Sequence, residues 1–305
     1  MMSTVAIVVT YNRCSMLERC LTALQRQSVA CDVLVIDNNS GDGTFEYVSK
    51  LTDERIFYFN PGNNLGGAGG FNLGMKLAME RGYERLWLMD DDCIPQPDAL
   101  AELLTADKLL NGNYGFLVSR ALWHDGSCCR MNLPKFSRSS KVQSQWQKFG
   151  LRPVRQATFV SFFLSRKSVE LAGLPQKEFF IWGDDVEYSR RLALRCKLDS
   201  FLVEKSVVLH AMQNNHGSDI ARDVPERLPR YALAYRNESC LYRREGWKGS
   251  VYYACRCIYH LLKIFCLAPS ERKERISLIL SAYKKGFSFN PPIEYFSGAV
   301  SEEKS

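Results

Sequence analysis

The chain has 305 residues, 46% of them apolar and 24% charged, with a net charge of +7. That composition excludes a disordered or fibrous protein, and the length admits one large domain with an appendage or two domains. The basic balance suits phosphorylated ligands, an anionic membrane surface or nucleic acid, so motifs must choose among them.

The N-terminal segment MMSTVAIVVTYNR has an apolar run but no basic n-region, so no secretory signal is expected. TVAIVVTYN reads as a buried strand, and SMLERCLTALQRQ as a helix with Ser15 as N-cap and Glu18 at capping-box spacing. CDVLVID is a second strand and GTFEYVSKLT a second helix. RIFYFN is a third strand, GFNLGMKLAMERG a third helix and RLWLMDDD a fourth strand. Such alternation implies βαβ units and a mostly parallel sheet covered on both faces, with ligands at the carboxyl ends of the strands. Lys135 to Gln156 is basic, Ser- and Gln-rich and poor in periodicity, and is expected to be a mobile loop or a surface excursion. ATFVSFFLSRKSVELAG resumes strand-then-helix character. KEFFIWGDDVEYSRRLALRC reads as a loop leading into a helix, and SFLVEKSVVLHAM as strand ending at His210. From Pro225 onward the pattern is helical. The expected division is therefore an α/β unit over 1–224 and a basic helical region over 225–305.

Polar or glycine-rich segments fall at four successive strand ends: Thr10-Tyr11-Asn12-Arg13, Asp37-Asn38-Asn39-Ser40, the loop NNLGGAGGF, and Asp90-Asp91-Asp92. Together they outline a site on one rim. The glycine loop is neither common nucleotide fingerprint: Asn72 stands where G-x-G-x-x-G needs its last glycine, and Met75 where a P-loop needs lysine. In extended backbone Asp90 and Asp92 point the same way and can share a divalent cation, Mg²⁺ or Mn²⁺. The plain alternative is a solvated acidic turn ahead of a helix. A second acidic element, Trp182-Gly183-Asp184-Asp185, precedes a basic helix. Helix-dipole capping accounts for one aspartate, and a general base in a partly desolvated pocket for the other. His210 is either a structural histidine or a third metal ligand. His124 and His216 are unassigned. The eleven cysteines form no C-x-x-C pair and read as core residues in a reducing cytosol, not as a disulfide framework or zinc site.

The order TYNR, DNNS, NNLGGAGGF, DDD, FFIWGDDVEY and a late histidine resembles the family 2 inverting glycosyltransferases with the GT-A fold, over about residues 3 to 240. Within them, NNLGGAGGFNLGM, WLMDDDCIP and FFIWGDDVEY are most similar to the bacterial galactofuranosyltransferases. The resemblance implies a GT-A fold, Rossmann-like and α/β, plus the C-terminal helices. It implies Asp90, Asp92 and His210 as ligands of Mn²⁺ or Mg²⁺, and Asp185 as catalytic base. Asp184 and Trp182 would place the acceptor. Thr10, Tyr11, Arg13, Asp37, Asn38, Asn64, Gly66, Gly67 and Asp91 would line the nucleotide-sugar donor. Asn38 stands where many relatives carry a second aspartate. The implied reaction moves a sugar, UDP-galactofuranose being the first choice of donor, onto a glycan or polyprenyl-diphosphate-linked acceptor in cell-surface polysaccharide synthesis such as O-antigen. Donors carrying rhamnose or galactopyranose fit the same frame.

The C-terminal helices carry the charge excess with aromatics interleaved, and Arg256, His260 and Lys263 interrupt the apolar stretch from Ser250 to Ala268. A membrane-spanning helix is not expected on that ground, and two expectations remain: an interfacial helix on the anionic inner leaflet, or a basic helix packed on the core. The expected location is the cytoplasm, peripheral to the membrane. A sugar nucleotidyltransferase would open with a Gly-rich, basic loop after the first strand, where TYNRCSM stands. A non-catalytic nucleotide binder, or a nucleic-acid partner, leaves two acidic clusters unexplained.

Overall fold

The computed structural model describes residues 3–137, 145–215 and 217–296. The first half contains β1 (Thr4–Thr10), α1 (Cys14–Gln25), β2 (Asp32–Asp37), α2 (Thr44–Val48), β3 (Ile56–Phe59), α3 (Gly66–Glu80), β4 (Arg85–Asp90), β5 (Cys93–Pro95) and α4 (Ala99–Leu110). Next come β6 (Leu117–Leu122), β7 (Lys135–Phe136), β8 (Leu151–Gln156), β9 (Phe162–Ser165) and α5 (Arg166–Ala172). α6 (Asp184–Arg190) runs into a π-helical turn (Arg191–Arg195), and β10 (Ser200–His210) follows. The last helices are α7 (Leu228–Arg244), α8 (Trp247–Leu267) and α9 (Arg272–Ser288).

Ten strands form one sheet in the order β3-β2-β1-β4-β9-β6-β10-β8-β7, with β5 paired to β10. The strands β3, β2, β1 and β4 are parallel, as the βαβ pattern predicts. Beyond β4 the sheet is mixed: β9 runs antiparallel to both β4 and β6, and β8 antiparallel to β10. The central strand β1 is buried along its whole length, which is why it reads as a continuous β-branched run. Its side chains alternate between two cores. Val5, Ile7 and Val9 meet Phe71 and Met75 of α3 on one face, while Ala6 and Val8 meet Leu17 and Leu21 of α1 on the other.

Three local expectations change. Ser15 is not an N-cap: α1 starts at Cys14, whose amide donates to the Asp42 carboxylate at 2.8 Å, so a residue distant in sequence satisfies that helix end. The stretch 135–156, expected as a loop, carries strand at both ends, because Leu151 and Val154 are buried where β8 pairs with β10; residues 138–144 lie outside the described residues. The third is the glycine-rich segment, most of which is helix α3. A Cβ at Gly74 would stand 2.5 Å from Ile7 Cγ2 and 3.1 Å from Ile36 Cγ1, so the glycine lets α3 lie directly on β1 and β2.

The three C-terminal helices share a separate core, with Tyr231, Tyr253, Ile264 and Ile279 at its centre and Trp182 and Val186 packed against it. Among the described residues no helix is long and apolar enough to cross a membrane. All eleven cysteines are unpaired, and Cys20, Cys93 and Cys240 are among those in the interior.

Gly74→Val is expected to destabilise the protein by about 2 kcal/mol through overpacking against Ile7. Gly67→Ala, with nothing within 4 Å of its added Cβ, should leave the melting temperature within a degree or so. Thermal melts of the two variants check this, and equal melting temperatures would contradict the packing role.

Candidate active site

The parallel register brings the strand ends together: Thr10 lies beside Asp37, and Val9 beside Asp90. β4 ends at Asp90 and the chain turns there, so strand alternation does not carry on to Asp92. Asp91 turns toward β1 instead. Its carboxylate accepts from Thr10 Oγ1 at 2.7 Å and from Arg13 Nη1 at 3.2 Å. Asp92 accepts from the same guanidinium at 2.7 Å and from His210 Nε2 at 3.0 Å. The short strand β5, not foreseen from the sequence, sets this last contact: it pairs Cys93 with His210, and the Ala211 amide donates to the Asp92 carbonyl. The other ring nitrogen of His210 meets Asn132 Oδ1 at 2.7 Å.

The carboxylates here differ in electrostatic state. Burial works against the charge of Asp92, but His210 and Arg13 hold it down at about 2. Burial likewise opposes a charged His210, and the bond to Asp92 outweighs it, raising the imidazole to about 10. Asp91 is pushed up to about 6 by burial and by Asp92, against Thr10 and Arg13. The Asp90 carboxylate makes no hydrogen bond or ion pair among the described residues. Burial and its two neighbouring aspartates push it up to about 8. The set of two carboxylates and an imidazole has the right chemistry for a hard divalent cation. As they stand, Asp92 is committed to His210 and Arg13, and among the described residues no three His, Cys, Asp or Glu side chains are close enough to hold an ion.

At the second strand end, Asp37 accepts from Tyr58 OH at 2.6 Å and from the Ser40 amide at 2.9 Å. Asn38 donates to the Gly66 carbonyl at 3.1 Å and accepts from the Leu65 amide at 3.3 Å. An aspartate at 38 would turn an acceptor toward the Gly66 carbonyl, which gives Asn38 a structural reason. Asn64 caps the Gly66 amide at 2.8 Å. Gly66 has φ +71°, and its missing Cβ leaves room for the Phe180 carbonyl, which would otherwise stand 2.2 Å away. Its conformation thus serves a main-chain contact with the second acidic element. Tyr11 is exposed.

The segment before α6 is conformationally unusual: Phe180 and Trp182 hold positive φ, 62° and 63°. Asn237 of α7 secures it. Its side-chain amide donates to the carbonyls of Phe179 (2.9 Å), Ile181 (3.2 Å) and Trp182 (2.8 Å), and the residue is fully buried. Sequence reasoning missed Asn237; its only signal is an asparagine on the buried side of a helix. Burial, with Asp185 and Asp90, pushes the Asp184 carboxyl well above the usual carboxylate range. Asp185 is raised to about 6, mainly by burial, while the Val186 amide, donating to its Oδ1 at 2.6 Å, opposes the shift. Glu187 instead forms a buried ion pair with Arg191 and is structural.

One cavity of about 570 Å³ is lined by Asp90, His210, Trp182, Asp184 and Asp185 together, and by Gly67. Thr10, Arg13, Asp91 and Asp92 form the polar cluster joined to it through His210, and Asp37, Asn38, Asn64 and Gly66 a second cluster at the strand ends. His124 is exposed and its ring meets that of Trp123 at a tilt of 43°, and His216 lies outside the described residues.

This architecture is that of a GT-A-like fold. The structure of GalNAc-T7 with UDP, GalNAc and Mn²⁺ superposes with a TM-score of 0.63 at 14% identity, covering 94% of this chain and 56% of that one. Residues 5–155 match the family described as Glycosyl transferase family 2, and the chain carries a glycosyltransferase domain of that family. The galactofuranosyltransferase GlfT1 of Mycobacterium tuberculosis (strain ATCC 25618 / H37Rv) is 32% identical over 201 residues, 62% of this chain and 64% of that protein. The dTDP-rhamnosyl transferase RfbF of Shigella flexneri is 26% identical over 197 residues, 63% and 62% of the two chains. The match thus spans a little under two thirds of either relative.

Asn237→Ala removes the side-chain amide shared by the Phe179, Ile181 and Trp182 carbonyls, leaving Arg236 Nη2 only a long 3.4 Å contact with the first, and should cost about 2–3 kcal/mol. Hydrogen exchange should accelerate in residues 177–188 while β1 and β2 keep their protection. Uniform acceleration throughout, or none, would contradict the clamp.

Proposed function

We propose that the chain is a metal-dependent inverting glycosyltransferase that moves a sugar from a nucleoside diphosphate donor to the hydroxyl of a glycan or polyprenyl-diphosphate-linked acceptor. UDP-galactofuranose is the first donor to test, on the likeness to GlfT1; the likeness to RfbF keeps a dTDP-rhamnose donor as the second. The observation that carries the reading is the pair Asp184–Asp185. They share one cavity with Asp90 and His210, where burial pushes Asp184 well above the usual carboxylate range and Asp185 to about 6.

In this mechanism the acceptor hydroxyl attacks the anomeric carbon from the face opposite the leaving diphosphate. Asp185 accepts the hydroxyl proton as attack proceeds. Asp184, beside it, would place the acceptor by hydrogen bonding. A divalent cation, Mn²⁺ or Mg²⁺, held by Asp90, Asp92 and His210, would supply charge stabilisation for the departing diphosphate. Thr10, Arg13, Asp37, Asn38, Asn64, Gly66 and Gly67 would bound the donor. Residues 1–224 would form the catalytic unit and 225–305 the helical region that completes it.

A membrane surface is the proposed setting. Helix α8 leaves a stripe exposed that includes Trp247, Val251, Ile258, Tyr259, Leu262 and Phe265, the last 70% accessible. Lys248, Arg272 and Lys273 flank it. An apolar stripe with a basic border suits an anionic bilayer surface.

Asp185→Asn is expected to lower turnover by about 10²–10⁴-fold with donor affinity retained; a variant keeping more than about a tenth of wild-type turnover excludes Asp185 as base. Because the base acts deprotonated, wild-type kcat/KM should rise with pH through about 6, and a flat profile from pH 5 to 8 contradicts that role. Phe265→Ser with Leu262→Ser should reduce co-sedimentation with anionic vesicles at low salt, and unchanged co-sedimentation counts against α8 as the contact.

A further inference from the structure

We infer that the wall of the cavity built by α7 and α8 seats the acceptor's sugar, a neutral and hydroxyl-rich unit, with Arg256, His260 and Lys263 as its recognition residues. The inference rests on the transferase reading above and names the substrate chemistry of its second site. These three residues line the same cavity as Asp185. They stand at i, i+4 and i+7 on α8 and so share one helix face.

The wall carries no net charge. Arg256 Nη1 donates to Glu238 Oε1 at 2.9 Å, and Lys263 Nζ to Asp219 Oδ2 at 2.7 Å, so each cation is already matched by an acid. A phosphate site would present an uncommitted cation; a row of paired charges presents fixed donors and acceptors, which suits hydroxyl groups. His260 adds a neutral contact. Its Nδ1 is engaged by Tyr235 OH, and Nε2 has no partner among the described residues. Burial, helped by Arg256 and Lys263, holds its pKa down near 4, so at neutral pH the ring is uncharged. Aromatic faces complete the wall: Trp182 and Tyr231 meet edge to face at 5.0 Å, and both line the cavity. Aromatic surface with a few convergent polar groups is the usual make-up of a pocket for a small, oriented ligand. Glu238 also acts on the Asp185 carboxyl, so the wall and the base are neighbours.

The test uses the full chain saturated with UDP and three probes: octyl galactofuranoside, octyl rhamnoside and galactofuranosyl 1-phosphate. Binding is read by saturation-transfer NMR and titration, without turnover. Wild type should bind a neutral octyl glycoside. His260→Leu should weaken that binding about tenfold, the value of one lost buried hydrogen bond, and His260→Gln, which keeps a donor and an acceptor, should restore most of it. UDP affinity should be the same in all three. If His260→Leu does not fold, Lys263→Met combined with Asp219→Asn removes one pair without stranding a charge and should weaken the glycoside severalfold. Glycoside affinity unchanged within twofold in folded variants overturns the inference. So does tighter binding of the glycosyl phosphate than of the glycoside, if Lys263→Met with Asp219→Asn abolishes the difference. Binding that depends on His260 in a protein that turns over no nucleotide sugar would uphold the wall and count against the transferase reading.

Discussion

The hydrogen bond from the Ala68 amide to the Phe180 carbonyl, 3.1 Å long, ties the glycine-rich end of the parallel sheet to the segment that carries Asp184 and Asp185. It forms only because residue 66 lacks a Cβ, which would occupy the space of that carbonyl. Asn38 fixes the Gly66 carbonyl from the end of β2, and Asn237 fixes Phe179, Ile181 and Trp182 from α7. A continuous path of hydrogen bonds to main-chain carbonyls therefore runs from the end of the second strand to the C-terminal helices. The positive φ values at Phe180 and Trp182 cost roughly 1–3 kcal/mol each, and they persist because both flanks are held. The start of α6 is thereby fixed relative to the sheet rim without any side chain of the acidic pair being used for support.

Five aspartates crowd this rim, and the fold treats them unequally. Asp91 and Asp92 are joined by the Arg13 guanidinium, and Asp92 has His210 as a further partner. Burial, with Asp185 and Asp90, raises the Asp184 carboxyl well above the usual carboxylate range. Asp90 and Asp185 are the two left with raised pKa values in a shared cavity, and neither is joined to a cation in an ion pair among the described residues. Separation of roles among nearby carboxylates by their surroundings is how one site holds both a proton acceptor and a cation-binding group. The residue types alone, a run of three acids and a run of two, do not distinguish these states; burial and the positions of Arg13 and His210 do.

Much of the fold was legible. β1 and β2 announce themselves as β-branched runs because both faces are covered, and the four polar strand ends mark the rim because parallel strands end together. What escaped the sequence depended on tertiary partners. β5 is three residues long and exists through its pairing with β10, yet it decides which carboxylate meets His210. The first-turn amide of α1 is met by Asp42, so the local capping signal at Ser15 was irrelevant. The β8 strand contains a proline and polar residues and shows no clean alternation, because it is sandwiched between β10 and β7 near the edge of the sheet. Asn237 looked like one polar residue in an amphipathic helix; its role lies in three carbonyls more than fifty positions upstream. In the glycine-rich segment Gly74 is required by helix-on-sheet packing and Gly66 makes room for the Phe180 carbonyl, while Gly67 faces the cavity.

Helix α8 gathers three chemistries around one cylinder. Tyr253, Cys257 and Ile264 pack into the helical core. Arg256, His260 and Lys263 face the cavity. Ile258, Tyr259, Leu262 and Phe265 face outward and are exposed. The outward stripe would be a liability on a freely diffusing protein, and the paired charges of the inner face would be wasted against solvent. Both make sense if the helix stands between an apolar surface and a polar cavity. A helix with its side chains is about 10–12 Å across, so an acceptor sugar on the inner face would lie roughly one helix diameter from a bilayer on the outer face. The proposed lipid-linked acceptor would have that form, with an apolar tail in the membrane and a hydroxyl-bearing head reaching the proposed base. The division of α8 into these faces thus joins the basic, aromatic-rich C-terminal sequence to the cavity that holds Asp185 through the width of a single helix.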